Sequence, residues 1–313
     1  MDRKKLLKSN MFTLAVVLFL VVCVFSILNH RYLTVDNIIN IFNSATTVGL
    51  LAIGQTYLII AGHIDLSEGA VGAFAGTFMA LLLSKDLTWP TAFVCVIFVG
   101  VIAGLINSVL VNKFALQPFI ATLAVASVFK GLAYIICDGR SIGISNGSFI
   151  STCAGKIGNI PISVTILVVL FLIFGFLLAK TTFGRSVYMI GGNVTAARLA
   201  GLNPKRLSTI LYIMNACLAA FAGVVLSARM HSGAPTAVIG TEFDAITAAV
   251  LGGVAFTGGM GTMGGCFIGL IIIQCFNNGL TVTGVSSFWQ IVAQGSLLIG
   301  ALILDYYRRR SIK

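Results

Sequence analysis

Met11-Phe-Thr-Leu-Ala-Val-Val-Leu-Phe-Leu-Val-Val-Cys-Val-Phe-Ser-Ile-Leu28 is an uncharged, almost wholly apolar run. As a single helix it is long enough to cross most of the ~30 Å hydrocarbon core of a bilayer. It follows Met1-Asp-Arg-Lys-Lys, so a secretory signal is the first alternative. The run exceeds a typical signal core, and its end, Ser26-Ile-Leu-Asn29, lacks a small-x-small cleavage site. The segment therefore reads as a retained first span. The rest of the chain agrees with it: 58% of the 313 residues are hydrophobic and 9% are charged, too little polar cover for a water-soluble fold.

Working outward, about ten apolar segments qualify as crossings, near 11–28, 40–61, 67–84, 90–111, 119–137, 161–179, 207–229, 244–258, 263–280 and 288–306. The second, third and eighth are the weakest, being rich in Gly, Ser and Thr and short or interrupted. The expected fold is an all-α, polytopic helical bundle forming one transmembrane domain over 1–313. Its 20 Lys and Arg against 9 Asp and Glu give a net charge of +11, which in a soluble protein would suggest nucleic acid. Placed on ten spans, 14 of the 20 basic residues fall on one side, namely Arg3 to Lys8, Lys113, Lys180 to Arg206 and Arg308 to Lys313. Five fall on the other side, and Lys130 lies inside the fifth span. That bias puts both termini in the cytoplasm and makes the lipid bilayer, not nucleic acid, the partner of the positive charge.

Several letter patterns carry no chemistry in this setting. Gly259-x-Gly261-x-x-Gly264 follows no strand, and the next acidic residue, Asp305, is too distant to serve as a ribose ligand. Gly143-Ile-Ser145-Asn-Gly147 spells a nucleophile elbow but lies in a loop. No phosphate-cradling G-x-x-x-x-G-K-[ST] occurs, so any nucleotide energy comes from another chain. The seven cysteines form no C-x-x-C pair and imply neither metal nor redox cofactor. Cys137 and Cys153 share the outer side and could form a disulfide. Pairs such as Gly72 and Gly76, Gly100 and Gly104, and Gly265 and Gly269 read as close-packing surfaces between helices.

Three features place polar or flexible groups where lipid makes them costly. Ala61-Gly-His-Ile-Asp-Leu-Ser-Glu-Gly69 is either a tight turn in which Asp65 or Ser67 caps the next helix, or a broken helix lining a solute path. Lys130 requires a polar partner, a pore, or a shift of the span that lets its amine snorkel to the interface. In Thr181 to Gly201, Asn193 can cap a short helix through Arg198 that ends at Gly201, leaving a compact element on the cytoplasmic surface. It is either an ordinary interfacial helix or a docking element.

The ordered set G-H-I-D-L-S-x-G (62–69), T-L followed by K-G-L-A-Y and G-R-S-I (122–142), F-G-R and G-G-N-x-x-A-A-R-x-x-G (183–201), E-F-D-A-I-x-A-A-V-L-G-G (242–253), G-G-M-G-T-x-x-G (258–265) and N-N-G-L (277–280) resembles the ribose/xylose/galactose-type permease subunits of bacterial ABC sugar importers. The resemblance runs nearly the length of the chain. It implies a multi-pass permease of the cytoplasmic (inner) membrane, present as a homodimer, with no enzymatic activity and no cofactor of its own. It also implies two further partners: a cytoplasmic ABC ATPase with two nucleotide-binding cassettes, and an extracytoplasmic sugar-binding protein. The stretch G-V-S-S-F-W-Q (284–290) and the G-H-I-D-L-S form look closer to the xylose or multiple-sugar branch. Glu68 and Lys130 depart from the pattern, which more often has an apolar residue and Arg there.

Carried over to this sequence, the ATPase contact is implied at Gly184, Arg185, Gly191, Gly192, Asn193, Ala196, Ala197, Arg198 and Gly201. A neutral, hydroxyl-rich solute calls for amides rather than fixed charges along its route. Gln55, Asn107, Asn215, Gln274, Asn277, Asn278, Gln290 and Gln294 are the candidates, with His63, Asp65 and Lys130 beside them. The expected mechanism is alternating access for a monosaccharide. The competing classes are a secondary sugar symporter using His63, Asp65, Glu68 and Lys130 as a relay, an ABC permease for another small polar solute such as a furanone, and a membrane enzyme.

Overall fold

The computed structural model describes residues 3–310, with side chains from Met11 to Tyr307. The side chains of Arg3, Lys4, Lys5 and Lys8, and those of Arg308 to Lys313, counted above toward the inner side, lie outside the described residues. The chain runs α1 (Arg3–Leu28), α2 (Val35–Ile60), α3 (Glu68–Ser84), α4 (Trp89–Asn112), α5 (Pro118–Ile135), β1 (Ile142–Gly143), α6 (Gly147–Ala154), β2 (Lys156–Ile157) and β3 (Ile160–Pro161). It continues with α7 (Ile162–Lys180), α8 (Thr182–Gly192), α9 (Val194–Leu199), α10 (Pro204–Met230), β4 (Ser232–Gly233), α11 (Thr241–Leu251), α12 (Met263–Val282) and α13 (Ser287–Arg310).

Local chemistry sets many of the helix starts. Proline opens α4, α5 and α10, where its missing N–H costs nothing. Side chains of Asn146, Thr181, Asn193, Asn203 and Thr262 accept from the first-turn amides of α6, α8, α9, α10 and α12. The long α2 and α10 form the buried centre, with Leu50, Leu51, Ile53, Tyr57, Leu211 and Tyr212 fully enclosed. α1 and α13 lie at the periphery with most of their apolar surface exposed. On the outer side, β1 pairs with β4 and β2 with β3 in two short antiparallel ribbons.

The glycine pairs expected to pack do so. A Cβ on Gly72 or Gly76 would meet the α10 carbonyls of Ala219 at 3.0 Å and Gly223 at 2.7 Å, and one on Gly100 would meet Ala216 at 2.9 Å. Gly104 is pressed against Tyr212 and Ile213 of α10, while Gly265 and Gly269 lie against Gly252 and Ala248. With lipid on the outside there is no hydrophobic drive between helices, so this backbone proximity supplies the dispersion contacts that hold the bundle.

Eight of the described helices are long and apolar enough to cross a membrane. The third expected segment is a helix of 17 residues. The eighth, expected over 244–258, is corrected: it is helical over Thr241–Leu251, 11 residues, or about 16 Å, half a bilayer. Left-handed glycines at Gly253 (φ 94°), Gly258 (φ 87°) and Gly259 (φ 75°) stop the helix, although the apolar composition continues. Its outer half is supplied by non-helical chain. Gly233 lies on Gly76 to Ala80, Val238 on Gly72 and Glu242 on Gly69, so residues 233–242 descend along α3 into the bundle. Cys137 and Cys153 are both free and buried, and burial pushes the Cys153 thiol up to about 11.

A Cβ at Gly223 would collide with the Gly72 carbonyl, whereas Gly131 on α5 faces open space. Gly223→Ala is expected to destabilise the bundle by about 1–3 kcal/mol through overpacking. Gly131→Ala should be neutral or stabilising. Melting temperatures of the two variants in detergent check both outcomes.

Candidate functional site

Two crossings are discontinuous, and they meet. α2 ends at Ile60, and the chain turns through Gly62 (φ 83°), where the αL conformation favours glycine. It then passes back into the bundle, and α3 begins at Glu68. Backbone that leaves a helix at membrane depth must find other hydrogen-bond partners. His63 N donates to Leu58 O at 2.8 Å, and Leu66 N donates to the Thr122 hydroxyl of α5 at 3.0 Å.

Asp65 organises this segment. Its Oδ1 accepts from Ser67 N at 2.7 Å and from Ser67 Oγ at 2.6 Å. Its Oδ2 accepts from Asn107 of α4 at 3.2 Å and Asn215 of α10 at 3.0 Å. Asn107 also donates to Ser67 Oγ at 2.8 Å. Asp65 therefore ties a local turn through Ser67, but neither side chain caps α3 as expected, and residues 65–69 lie buried between helices while Gly62 is exposed. His63 sits just outside, edge-on to Tyr212 with ring centroids 5.6 Å apart.

The other polar candidates divide. Gln55, on the face of α2 next to the Gly54–Asn215 contact, is fully buried, and neither end of its amide has a hydrogen-bond partner. Gln274 is buried on α12. Asn277 donates to Asp244 of α11 at 3.2 Å. Asn278 and Asn37 exchange bonds of 3.0 and 2.8 Å, joining α12 to the start of α2. Gln290 caps its own helix entry through Val285 O at 2.8 Å, and Gln294 is half-buried on peripheral α13. The structure thus gathers Asp65, Asn107 and Asn215, with His63 and Gln55 adjoining, and leaves Asn278, Gln290 and Gln294 apart. Lys130 is exposed on α5 five residues before its end, about 7.5 Å from the helix terminus, a depth its side chain can span by snorkelling. It acts electrostatically on Glu242.

Sequence reasoning passed over Glu242 and Asp244 as site residues, along with Ser67, Thr122 and Tyr212. A signal was present for the acidic pair. α3 carries Glu68 in its first turn and α11 carries Glu242 and Asp244, so both helices that start inside the bundle have acids at their positive ends. Among the described residues, no group of three His, Cys, Asp or Glu could hold a metal ion.

The inner ends of both broken crossings converge on α8. The Ile60 carbonyl accepts from Gly259 N at 2.8 Å, and a Cβ on Gly191 would overlap that same oxygen. Tyr188 of α8 donates to Gly261 O at 2.7 Å. Gly184 packs on the end of α7, and Ala197 anchors α9 in the core. Arg185, Gly192, Asn193, Ala196, Arg198 and Gly201 are exposed, and Leu199 shows 86% of its surface. Asn193 accepts from Ala196 N at 2.9 Å, and Gly201 (φ 84°) ends the element. The α8–α9 segment therefore presents one polar and apolar outer face while its inner face touches the intramembrane breaks.

A polytopic bundle of membrane-spanning helices with two interrupted crossings resting on an exposed surface element is an integral-membrane protein. The sequence matches, over residues 37–304, the family described as branched-chain amino acid transport system / permease component, and the chain belongs to that family. It is a non-catalytic, multi-pass permease of the cytoplasmic membrane.

Its relatives include the ribose import permease protein RbsC of Bacillus subtilis, 40% identical over 92% of this chain and 90% of that one. The probable ABC transporter permease protein YphD of Escherichia coli is 35% identical over 95% and 89%. The L-arabinose ABC transporter permease protein AraH of Azospirillum brasilense is 34% identical over 89% and 82%. No solved structure matches.

Asp65→Asn replaces an acceptor oxygen by a donor facing Ser67 or the two amides. Charge-assisted hydrogen bonds contribute roughly 1.5–3 kcal/mol each, so losing one and setting donor against donor should lower the melting temperature markedly. Ser67→Ala, which removes one of the four donors, should lower it less. Thermal denaturation of both variants in one detergent gives the order.

Proposed function

We propose that this chain forms the membrane path of an ATP-driven importer for a monosaccharide, a pentose or hexose such as ribose, arabinose, xylose or galactose. The match with ribose and arabinose permeases over about nine-tenths of the chain supports a sugar over the amino acids in the family's description. A cytoplasmic ABC ATPase with two nucleotide-binding cassettes supplies the energy. An extracytoplasmic binding protein delivers the sugar, and a second copy of the chain completes the path.

The observation that carries the mechanism is the junction of Gly191, the Ile60 carbonyl and Gly259 N. Force applied to α8 and α9 by a nucleotide-driven partner reaches the inner ends of both interrupted crossings without passing through flexible chain. Rigid elements that abut directly shift together, and that is what alternating access requires. The ATPase docks on the exposed face around Arg185, Asn193, Arg198 and Leu199. The buried amides near Asp65 lie where those crossings hinge, so solute hydroxyls gain partners as the junction opens.

Reconstitution with the ATPase and binding protein tests this reading. Labelled ribose, arabinose, xylose or galactose should accumulate only with ATP hydrolysis. Uptake driven by an ion gradient without the ATPase would mark a secondary symporter instead. Gly191→Ala drives a methyl group into the Ile60 carbonyl, so it is expected to reduce uptake at least tenfold while the ATPase still co-purifies. Gly131→Ala on α5, with open space at its Cβ and outside the α8–α9 element, should transport normally.

A further inference from the structure

The chain contains two glutamates, Glu68 and Glu242, and both lie in the first turn of a helix that begins inside the bundle. Asp65 and Glu68, three positions apart and both fully buried, meet opposite surroundings. Asp65 receives four hydrogen bonds, from Ser67 N, Ser67 Oγ, Asn107 and Asn215. That donor set suits an ionised carboxylate, which only accepts. Neither oxygen of Glu68 receives a hydrogen bond from the protein. The groups facing it are Asp65 from the loop, Glu242 from α11 and the Asn215 amide from α10. Lys130 of α5 acts on Glu242, and His63 is turned to Tyr212.

An ionised Glu68 would be a buried charge without a donor and with two carboxyls as neighbours. In such a group one member keeps its proton. The positive end of α3 favours a charge at Glu68, but a helix terminus offsets only a fraction of the cost of desolvating an unpaired carboxylate. Asn215 spends its Nδ2 on Asp65 and turns its Oδ1 toward Gly54 of α2. A proton on Glu68 removes the unpaired charge, so the buried carboxyl no longer needs a donor from the protein.

We propose that Glu68 is a proton-binding site inside the membrane: at neutral pH it holds a proton, which removes an unpaired charge from the first turn of α3, while Asp65 stays ionised. The bound ligand is the proton. The site holds it in place without relaying it, so it stands whatever solute the protein carries.

With two glutamates in the chain, protein grown on carboxyl-13C glutamate and held in lipid nanodiscs reports on these two groups alone in infrared and solid-state NMR spectra. At neutral pH one protonated glutamate signal is expected, lost in Glu68→Gln and kept in Glu242→Gln. Two ionised glutamates, or a protonated signal that survives Glu68→Gln, would overturn the proposal. If a variant fails to insert, the labelled wild type decides. Dipolar contact between the protonated carboxyl and an asparagine side chain supports Glu68. Contact with the Gly240 nitrogen, the donor to Glu242 at 2.8 Å, sinks it.

Discussion

Inside a bilayer every backbone N–H and C=O must find a partner within the protein, and this chain leaves the helical conformation twice at that depth. Each departure is tolerated because other elements take over the hydrogen bonding. Thr122 accepts from Leu66 N, Asp65 accepts from Ser67 N, and the Ile60 carbonyl accepts from Gly259 N. The arrangement of the remaining helices follows from closing these two gaps. α4, α5 and α10 surround the first break, and α3 lines the turn-rich, non-helical chain that leads into the second.

The two interruptions also account for where the acids lie. A helix that begins in the interior exposes its positive end to protein instead of water, and Glu68, Glu242 and Asp244 occupy those ends. Placing carboxyls in an apolar bundle requires donors, which explains why Asn107 and Asn215 project from α4 and α10 toward Asp65 and not toward lipid. Glycine does the complementary steric task. Gly72, Gly76, Gly104 and Gly223 bring α3, α4 and α10 to backbone contact, and this closeness lets short amide side chains span from helix to helix.

The breaks connect directly to the surface element formed by α8 and α9. A continuous helix transmits motion along its axis, but a broken one moves at the break, and here both inner ends rest on α8 through Gly191 and Tyr188. α9 is exposed, with Leu199 nearly bare. The interior breaks and the exposed α8–α9 surface thus share one set of direct contacts.

The class of the protein and its helical make-up were legible in the sequence, because the bilayer imposes a length rule on each segment separately. The motif order also marked the loop at 62–69 and the segment at 184–201. What the tertiary structure decided was pairwise. The apolar stretch 244–258 concealed a half-helix, because left-handed glycines, not composition, ended it. Nothing local distinguished Asn215, committed to Asp65, from Asn278, committed to Asn37, since an amide's role depends on which distant helix faces it. Glu242 was readable as an acid in an apolar run. Its position against Gly69 arises only when residues 233–242 descend beside α3, a contact between segments 173 positions apart that no hydropathy pattern encodes.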